Sequence, residues 1–457
     1  MGDSEQPDVP EAEELISQGL SGRKKSSVRT RNSAVSKSNF RLTKVLKVLG
    51  PGLITGAADD DPSGIATYSS VGAQFGYGML WTMPFSYPLM AAIQEISARI
   101  GRVTGHGIAG NMRAHYPRWL LYLIVSLLLF ANTINIGADI GAMGAGVNLI
   151  LGGPAPLYCV LLTAFSTLLQ IAIPYKKYVG ILKWLTLSLL AYVATAFVVK
   201  IKWQDAIYGT FVPNLSFTPE HLQALVAVLG TTISPYLFFW QASEEVEEIH
   251  RVVRDKALKR APRQGSKQLQ RIRVDTYLGM AFSNCIAYFI ILTVAVTLNA
   301  HGKTNIDTAA EAAEALRPIA GRFASLLFSL GIVGTGLLAL PVLAGSAAYA
   351  VGEAFHWPVG LKRKPSRAKA FYAVLAISTI IGLLLNFANV NPIQALVWSA
   401  IINGITAAPV MCFMMLMASS RKIMGKFIVP RHLKILGWCA TIVMAAAAMG
   451  MLWPTSN

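Results

Sequence analysis

Gly56-Ala57-Ala58-Asp59-Asp60-Asp61-Pro62-Ser63-Gly64 places three consecutive carboxylates and a proline between glycines. The stretch lies inside an otherwise apolar, membrane-length segment, roughly residues 45–73. Each charge near a bilayer centre costs at least ~2.5–3.5 kcal/mol. Pro62 deletes a helix hydrogen bond and clashes with the preceding turn, so the helix is expected to break there. Broken backbone at membrane depth is tolerated only where protein or a water-filled cavity receives the freed polar groups. Acids on a broken helix at that depth predict a buried cation site.

Composition places the site in a membrane. The chain has 457 residues, 54% of them hydrophobic and only 14% charged, with a mean hydropathy of +0.49. Soluble domains average about 25% charged residues, so the reading is an all-α polytopic membrane protein. The first forty or so residues turn from acidic (Glu11, Glu13, Glu14) to basic and Ser-rich (Arg23, Lys24, Lys25, Arg29, Arg31). They read as a disordered cytosolic tail rather than a cleavable signal sequence. The four cysteines fall in apolar segments without a CxxC spacing, and the seven histidines fall in loops or near helix ends. Neither set predicts a deep metal site.

Eleven apolar spans follow: about 45–73, 79–99, 119–147, 155–175, 179–199, 221–249, 275–298, 320–351, 371–388, 392–417 and 434–453. With the N-terminus in the cytosol, 34 of the 40 Lys and Arg fall on the cytosolic side. Five (Lys200, Lys202, Lys303, Arg317, Arg322) fall outside, and Lys183 lies within span five. That is a positive-inside pattern, and it puts the C-terminal Trp453–Asn457 outside. The formal charge of +17 is therefore topology, and no nucleic-acid partner is expected.

A second interruption, Gly230-Thr231-Thr232-Ile233-Ser234-Pro235-Tyr236, cuts span six. Pro235 should free a carbonyl about one turn earlier, near Thr231, and Thr231 and Ser234 add hydroxyls. Alone this reads as a proline kink. Paired with the acids five helices earlier, it reads as half of a site between two inverted five-helix repeats. The expected division is a tail (1–44), a first repeat (45–200), a second repeat (201–417), and helix eleven with the C-terminus (418–457). Glu244, Glu245, Glu247 and Glu248 past the break read as a solvated helix end balanced by Arg251 and Arg254, or as a cation-attracting vestibule.

At these residues the sequence resembles the NRAMP family of divalent metal transporters. Asp61-Pro62-Ser63-Gly64 stands at the family's D-P-G-N, and Ser234-Pro235-Tyr236 at its M-P-H. Ala98-Arg99-Ile100-Gly101-Arg102-Val103-Thr104-Gly105 stands at its A-R-L-G-x-V-T-G. The resemblance implies a LeuT-like inverted repeat, helices 1–5 and 6–10, with helices 1 and 6 broken. It also implies metal ligation by Asp61 and the Thr231 carbonyl. Gly64 replaces the family's Asn and Ser234 its Met. Losing the thioether removes a preference for soft transition metals. Fewer ligands leave room for the waters that Mg²⁺ retains. The pattern looks like the NRAMP-related magnesium transporters. Asp59 and Asp60 then serve as water-mediated ligands or line the access path. Tyr236 replaces the family's proton-relay His, and Ile136 stands where its helix-three Asp is expected. Weak or absent proton coupling follows, with Asp139 the remaining coupling candidate.

Asn403, Gln394 and Asn386 could line a path in the second repeat or serve as packing hydrogen bonds. Gln94 and Glu95 read as partners of Arg99 or as a gate. The function expected is import of Mg²⁺ and Mn²⁺ by alternating access in a bacterial plasma (inner) membrane, with no cofactor. The partners are the cation and the lipid bilayer. The rivals are a proton-coupled Mn²⁺/Fe²⁺ importer and a sodium-coupled symporter. From another class come an intramembrane aspartyl protease built on Asp61 and Asp139, and a non-transporting receptor.

Overall fold

The computed structural model describes residues 55–56, 58–172, 187–251, 255–361, 363–388 and 390–452. The tail 1–44, Lys183, Arg254 and Trp453–Asn457 lie outside them. Among the described residues the fold is helical without strands. In chain order the helices are α1 (Pro62–Phe75), α2 (Thr82–Thr104), α3 (Ile108–His115), α4 (Arg118–Leu151), α5 (Ala155–Ala172) and α6 (Leu190–Val198). Then come α7 (Trp203–Phe211), α8 (Pro219–Thr232), α9 (Pro235–Arg251), α10 (Gly265–Thr297), α11 (Ala309–Glu314) and α12 (Arg317–Ala320). The chain continues with α13 (Ala324–Ala354), α14 (Lys369–Leu385), α15 (Pro392–Ser419), α16 (Arg421–Met424) and α17 (Arg431–Leu452).

Prolines set several of the starts. Pro62, Pro219 and Pro392 each follow an Asp, Thr or Asn whose side chain caps the first turn. Pro fits there because the first-turn N–H has no intrahelical partner to lose. By contrast α13 runs unbroken through Pro341.

Among the described residues, six stretches are long and apolar enough to cross a membrane: Arg118–Leu151, Pro219–Arg251, Pro262–His301, Arg317–Ala354, Pro392–Ser419 and Arg431–Met451. Shorter apolar helices occupy Ala155–Gln170, Leu187–Val198 and Lys369–Leu385. The outer faces of α4, α5, α14 and α17 expose Trp119, Phe130, Leu161, Leu168, Ile380, Leu384 and Ile442. So much exposed apolar surface fits lipid rather than water.

α1 is the inner helix, packed against α10, α15, α8, α4 and α13. Two glycines permit the closest approaches beside the breaks. A Cβ at Gly56 would strike the backbone of Gly279 on α10, and one at Gly230 would strike Ala400 and Gly404 on α15.

One end of the bundle is tied by charge. Arg99 reaches Glu95 at 2.6 Å, and Arg273 approaches the same carboxylate at 3.5 Å. Fully buried Arg102 pairs with Asp255, and Arg271 meets Glu245 at 2.5 Å. Gln94 donates to the Leu237 carbonyl at 3.0 Å. The solvated-end reading of the glutamate run is thus corrected at Glu245. Glu245 is buried, and Glu247 accepts from the Tyr349 hydroxyl and from the Leu361 amide at 2.8 Å. Glu244, Glu247 and Glu248 are half-buried, and Glu248 keeps the expected pairing with Arg251, at 3.4 Å.

Candidate cation site at the helix breaks

Thr55, Gly56, Ala58 and Asp59 are helical, Asp60 bends, and Asp61 is extended (φ −71°, ψ 170°) before α1 begins at Pro62. Asp61 therefore caps α1, where the helix dipole favours a carboxylate. Its Oδ1 accepts from the Gly64 amide at 2.8 Å. Its Oδ2 accepts from Asn135 Nδ2 of α4 at 3.1 Å and from the Tyr236 hydroxyl of α9 at 3.2 Å. Asn135 is itself held, its Oδ1 accepting from the Ser399 hydroxyl of α15 at 2.8 Å. One carboxylate thus joins α1, α4 and α9, and through Asn135 also α15.

The second break faces the first. α8 ends at Thr232 and α9 begins at Pro235. The Ser234 hydroxyl turns back to the carbonyls of Gly230 (2.9 Å) and Thr231 (2.8 Å), the groups that the break frees. The Thr231 carbonyl is therefore engaged by a hydroxyl that one bond rotation can withdraw. Gly64 contributes an amide and no side chain. A Cβ there would lie 3.1 Å from Thr231 Oγ1 and 3.3 Å from Tyr68 Cε2, so the two breaks touch at this point.

Asp59 and Asp60 turn the other way, toward α10. The Ser283 hydroxyl lies 2.6 Å from Asp59 Oδ2 and 2.9 Å from Asp60 Oδ1. These distances hold the two carboxylate oxygens within about 5.5 Å of each other. At an effective dielectric of ~20, two like charges at that range repel by ~3 kcal/mol. Among the described residues no Lys, Arg or His forms an ion pair with Asp59, Asp60, Asp61 or Asp139. No three His, Cys, Asp or Glu side chains there converge as a ready metal cage either. Any cation here would be held by one or two carboxylates, carbonyls and hydroxyls.

The coupling candidates divide. Tyr236 stands in the Asp61 network. Asp139, one α4 turn beyond Asn135, is fully buried, and neither of its oxygens has a hydrogen-bond partner. Asn403 is buried with Oδ1 unpartnered, whereas Ser399, one turn earlier on α15, is the residue that reaches Asn135. Gln394 is exposed. Asn386 makes the packing bonds expected of it, donating to the carbonyls of Gly137 (2.9 Å) and Gly382 (3.1 Å). Sequence reasoning missed Asn135, Ser399 and Ser283. Only Asn135 left a signal, being four residues before Asp139 and so on the same helical face.

Apposed breaks around a buried carboxylate, in a sheath of apolar helices, define a membrane transporter of the broken-helix class. The solved structures agree on the fold. The Eremococcus coleocola manganese transporter, in complex with an aromatic bis-isothiourea substituted compound, superposes with a TM-score of 0.70 at 16% identity, covering 91% of this chain and 88% of that one. A mutant of that transporter gives 0.68 at 16% identity, with the same coverages. MhsT in complex with L-phenylalanine gives 0.59 at 12% identity, covering 88% of this chain and 97% of that one. The sequence profile described as Natural resistance-associated macrophage protein-like matches residues 52–454. The chain belongs to this Nramp family, whose members are divalent metal transporters and not enzymes. The aspartyl protease reading falls with that.

Proposed function

We propose that the chain imports divalent cations by alternating access, carrying both Mg²⁺ and Mn²⁺ with weak or no proton coupling. The observation that supports this most is the donor set where the breaks meet: the Asp61 carboxylate and the Thr231 carbonyl, oxygen without sulfur, with a Ser234 hydroxyl where the family has a thioether. Hard oxygens do not select against Mg²⁺, which dehydrates reluctantly and keeps waters beside one or two carboxylates. Asp61 is the principal ligand. The Thr231 carbonyl joins it when the Ser234 hydroxyl turns away, and Tyr236 and Asn135 orient the carboxylate. The membrane potential drives entry, since a divalent ion gains about 2 × 2.3 kcal/mol across 100 mV. The topology that serves this is eleven spans in two inverted repeats (45–200 and 201–417). It runs from a cytosolic N-terminus to an outside C-terminus in a bacterial inner membrane.

A second reading is a proton-coupled Mn²⁺/Fe²⁺ importer. It draws support from the manganese transporter among the similar structures, and from Asp139, a buried and unpartnered carboxylate one turn from Asn135. Competition decides between them. Millimolar Mg²⁺ outside proteoliposomes should suppress Mn²⁺ uptake if both ions share the site. Mn²⁺ uptake indifferent to Mg²⁺ would favour the second reading.

A further inference from the structure

We infer that a cleft between α3, α9 and α13, far from the helix breaks in sequence, binds a phosphate-bearing anion. It lies at the end of the bundle that the positive-inside pattern places in the cytosol. Its volume is about 590 Å³, inside the roughly 300–1,000 Å³ range of small-molecule sites. Arg113, Arg363, His106, His250 and His356 line it, and Trp357 gives it an aromatic wall. Glu247 and Glu353 line it too, but both already hold donors of the protein's own. Glu353 accepts from the Gly107 and Gly110 amides at 2.9 and 2.8 Å, and Glu247 from the Tyr349 hydroxyl and the Leu361 amide. The start of α3 is thereby capped from within, so the anion is left to the side chains.

The cations of the cleft have no such partners. Among the described residues neither Arg113 nor Arg363 forms an ion pair. Arg113 Nη1 is buried without a hydrogen-bond partner. Burial, then the positive fields of Arg113, Arg260 and His356, hold the His106 imidazole below its ordinary range. Cations gathered without a counter-ion have that effect. The backbone of His356 adds an independent observation. It lies just past α13 with φ 63°, and among the described residues no other non-glycine has a positive φ. Its turn lets the Trp357 amide reach back to the Gly352 carbonyl at 2.8 Å, an ending of α13 that glycine makes most easily. Strain of this kind persists at ligand clamps and other functional positions, and here it sets an imidazole on the cleft wall. Among the described residues no three His, Cys, Asp or Glu side chains converge, so a metal is not the occupant. Guanidinium and imidazole groups recognise phosphate, and an exposed indole can stack a base. The volume and Trp357 therefore favour a nucleotide. Held here, it bridges α9, which starts at the second break, to α13.

Calorimetric titration of the full-length protein in phosphatidylcholine nanodiscs, without divalent ions, tests the assignment with ADP and inorganic phosphate as probes. ADP should bind wild type, and phosphate should compete with it. Arg113→Gln should weaken ADP binding by ~10-fold or more. His356→Gly keeps the left-handed backbone and removes only the imidazole, so it should weaken ADP about 5-fold without lowering the melting midpoint. A lipid headgroup as the source of the phosphate gives a different pattern. ADP then fails to bind, while phosphatidylglycerol in mixed nanodiscs stays with wild type through delipidation and is lost from Arg113→Gln. Either pattern upholds the phosphate site and names its source. ADP binding unchanged in both variants would overturn it, as would the absence of Arg113-dependent binding of ADP, phosphate and phosphatidylglycerol alike.

Discussion

Replacing Asn135 by Ala removes the side chain that links Asp61 to α15. Asn135 donates to Asp61 Oδ2 at 3.1 Å while accepting from Ser399 at 2.8 Å, and all three groups are buried. A hydrogen bond to a charged group contributes ~1.5–3 kcal/mol, roughly 10–150-fold in an equilibrium. Loss of a partner that orients a metal ligand typically lowers affinity 10–100-fold. Asn135→Ala should therefore weaken Mn²⁺ binding at the Asp61 site by one to two orders of magnitude. Ser399→Ala removes a neutral bond that reaches Asp61 only through Asn135. It should cost ~1 kcal/mol, about 5-fold. In the Asn135→Ala background the Ser399 substitution should then add nothing, a non-additivity that a double-mutant cycle measures directly. Calorimetric Mn²⁺ titration of the four proteins supplies the numbers. An unchanged affinity in Asn135→Ala, or a full 5-fold loss from Ser399→Ala in its absence, would refute the relay.

Three further outcomes follow from the same geometry. Ser234→Ala withdraws the hydroxyl that competes for the Thr231 carbonyl, worth ~0.5–1.5 kcal/mol. It should tighten cation binding by about 2- to 10-fold, and weaker binding would make the hydroxyl itself the ligand. Asp255→Ala leaves the fully buried Arg102 without its carboxylate. It should destabilise the fold by ~3 kcal/mol or more, read as a lowered melting midpoint in detergent, with Asp255→Asn recovering part of the loss. Glu311 lies outside the membrane spans and is half-buried. The Asp307 amide and then that of Thr308 hold its carboxylate below the ordinary glutamate range. Its capping of α11 is a contribution present above that range and lost as pH falls through the lowered value. Amide exchange at α11 should therefore speed up in acid, and Glu311→Gln should flatten that dependence.

The breaks were legible because proline and buried charge act locally. Asp-Pro and Ser-Pro within apolar runs admit few other readings, and both helices restart at the prolines. The grouping of the three aspartates was not legible. Sequence treats Asp59, Asp60 and Asp61 as one cluster, whereas a bend at Asp60 and the extended Asp61 direct them to different helices. Ser283, which meets Asp59 and Asp60, and Ser399, which reaches Asp61 only through Asn135, lie more than 200 residues away in sequence. A lone serine in an apolar helix carries no pattern that distinguishes it from packing. On α15 sequence draws attention to Asn403, the more polar side chain, whereas Ser399, one turn earlier, is the residue that reaches Asn135. The glutamate run after the second break looked solvated because its charge pattern suits water. Buried Glu245 is met by Arg271 of α10, which sequence cannot place beside it.

The most direct test of the account is uptake into proteoliposomes loaded with Mg²⁺- and Mn²⁺-sensitive dyes and a pH dye, comparing wild type with Asp61→Ala. The account predicts entry of both ions without acidification, and loss of both in the variant. Mn²⁺ entry accompanied by acidification, with no Mg²⁺ entry, would contradict the proposed selectivity and coupling. Flux unchanged in Asp61→Ala would remove the site itself.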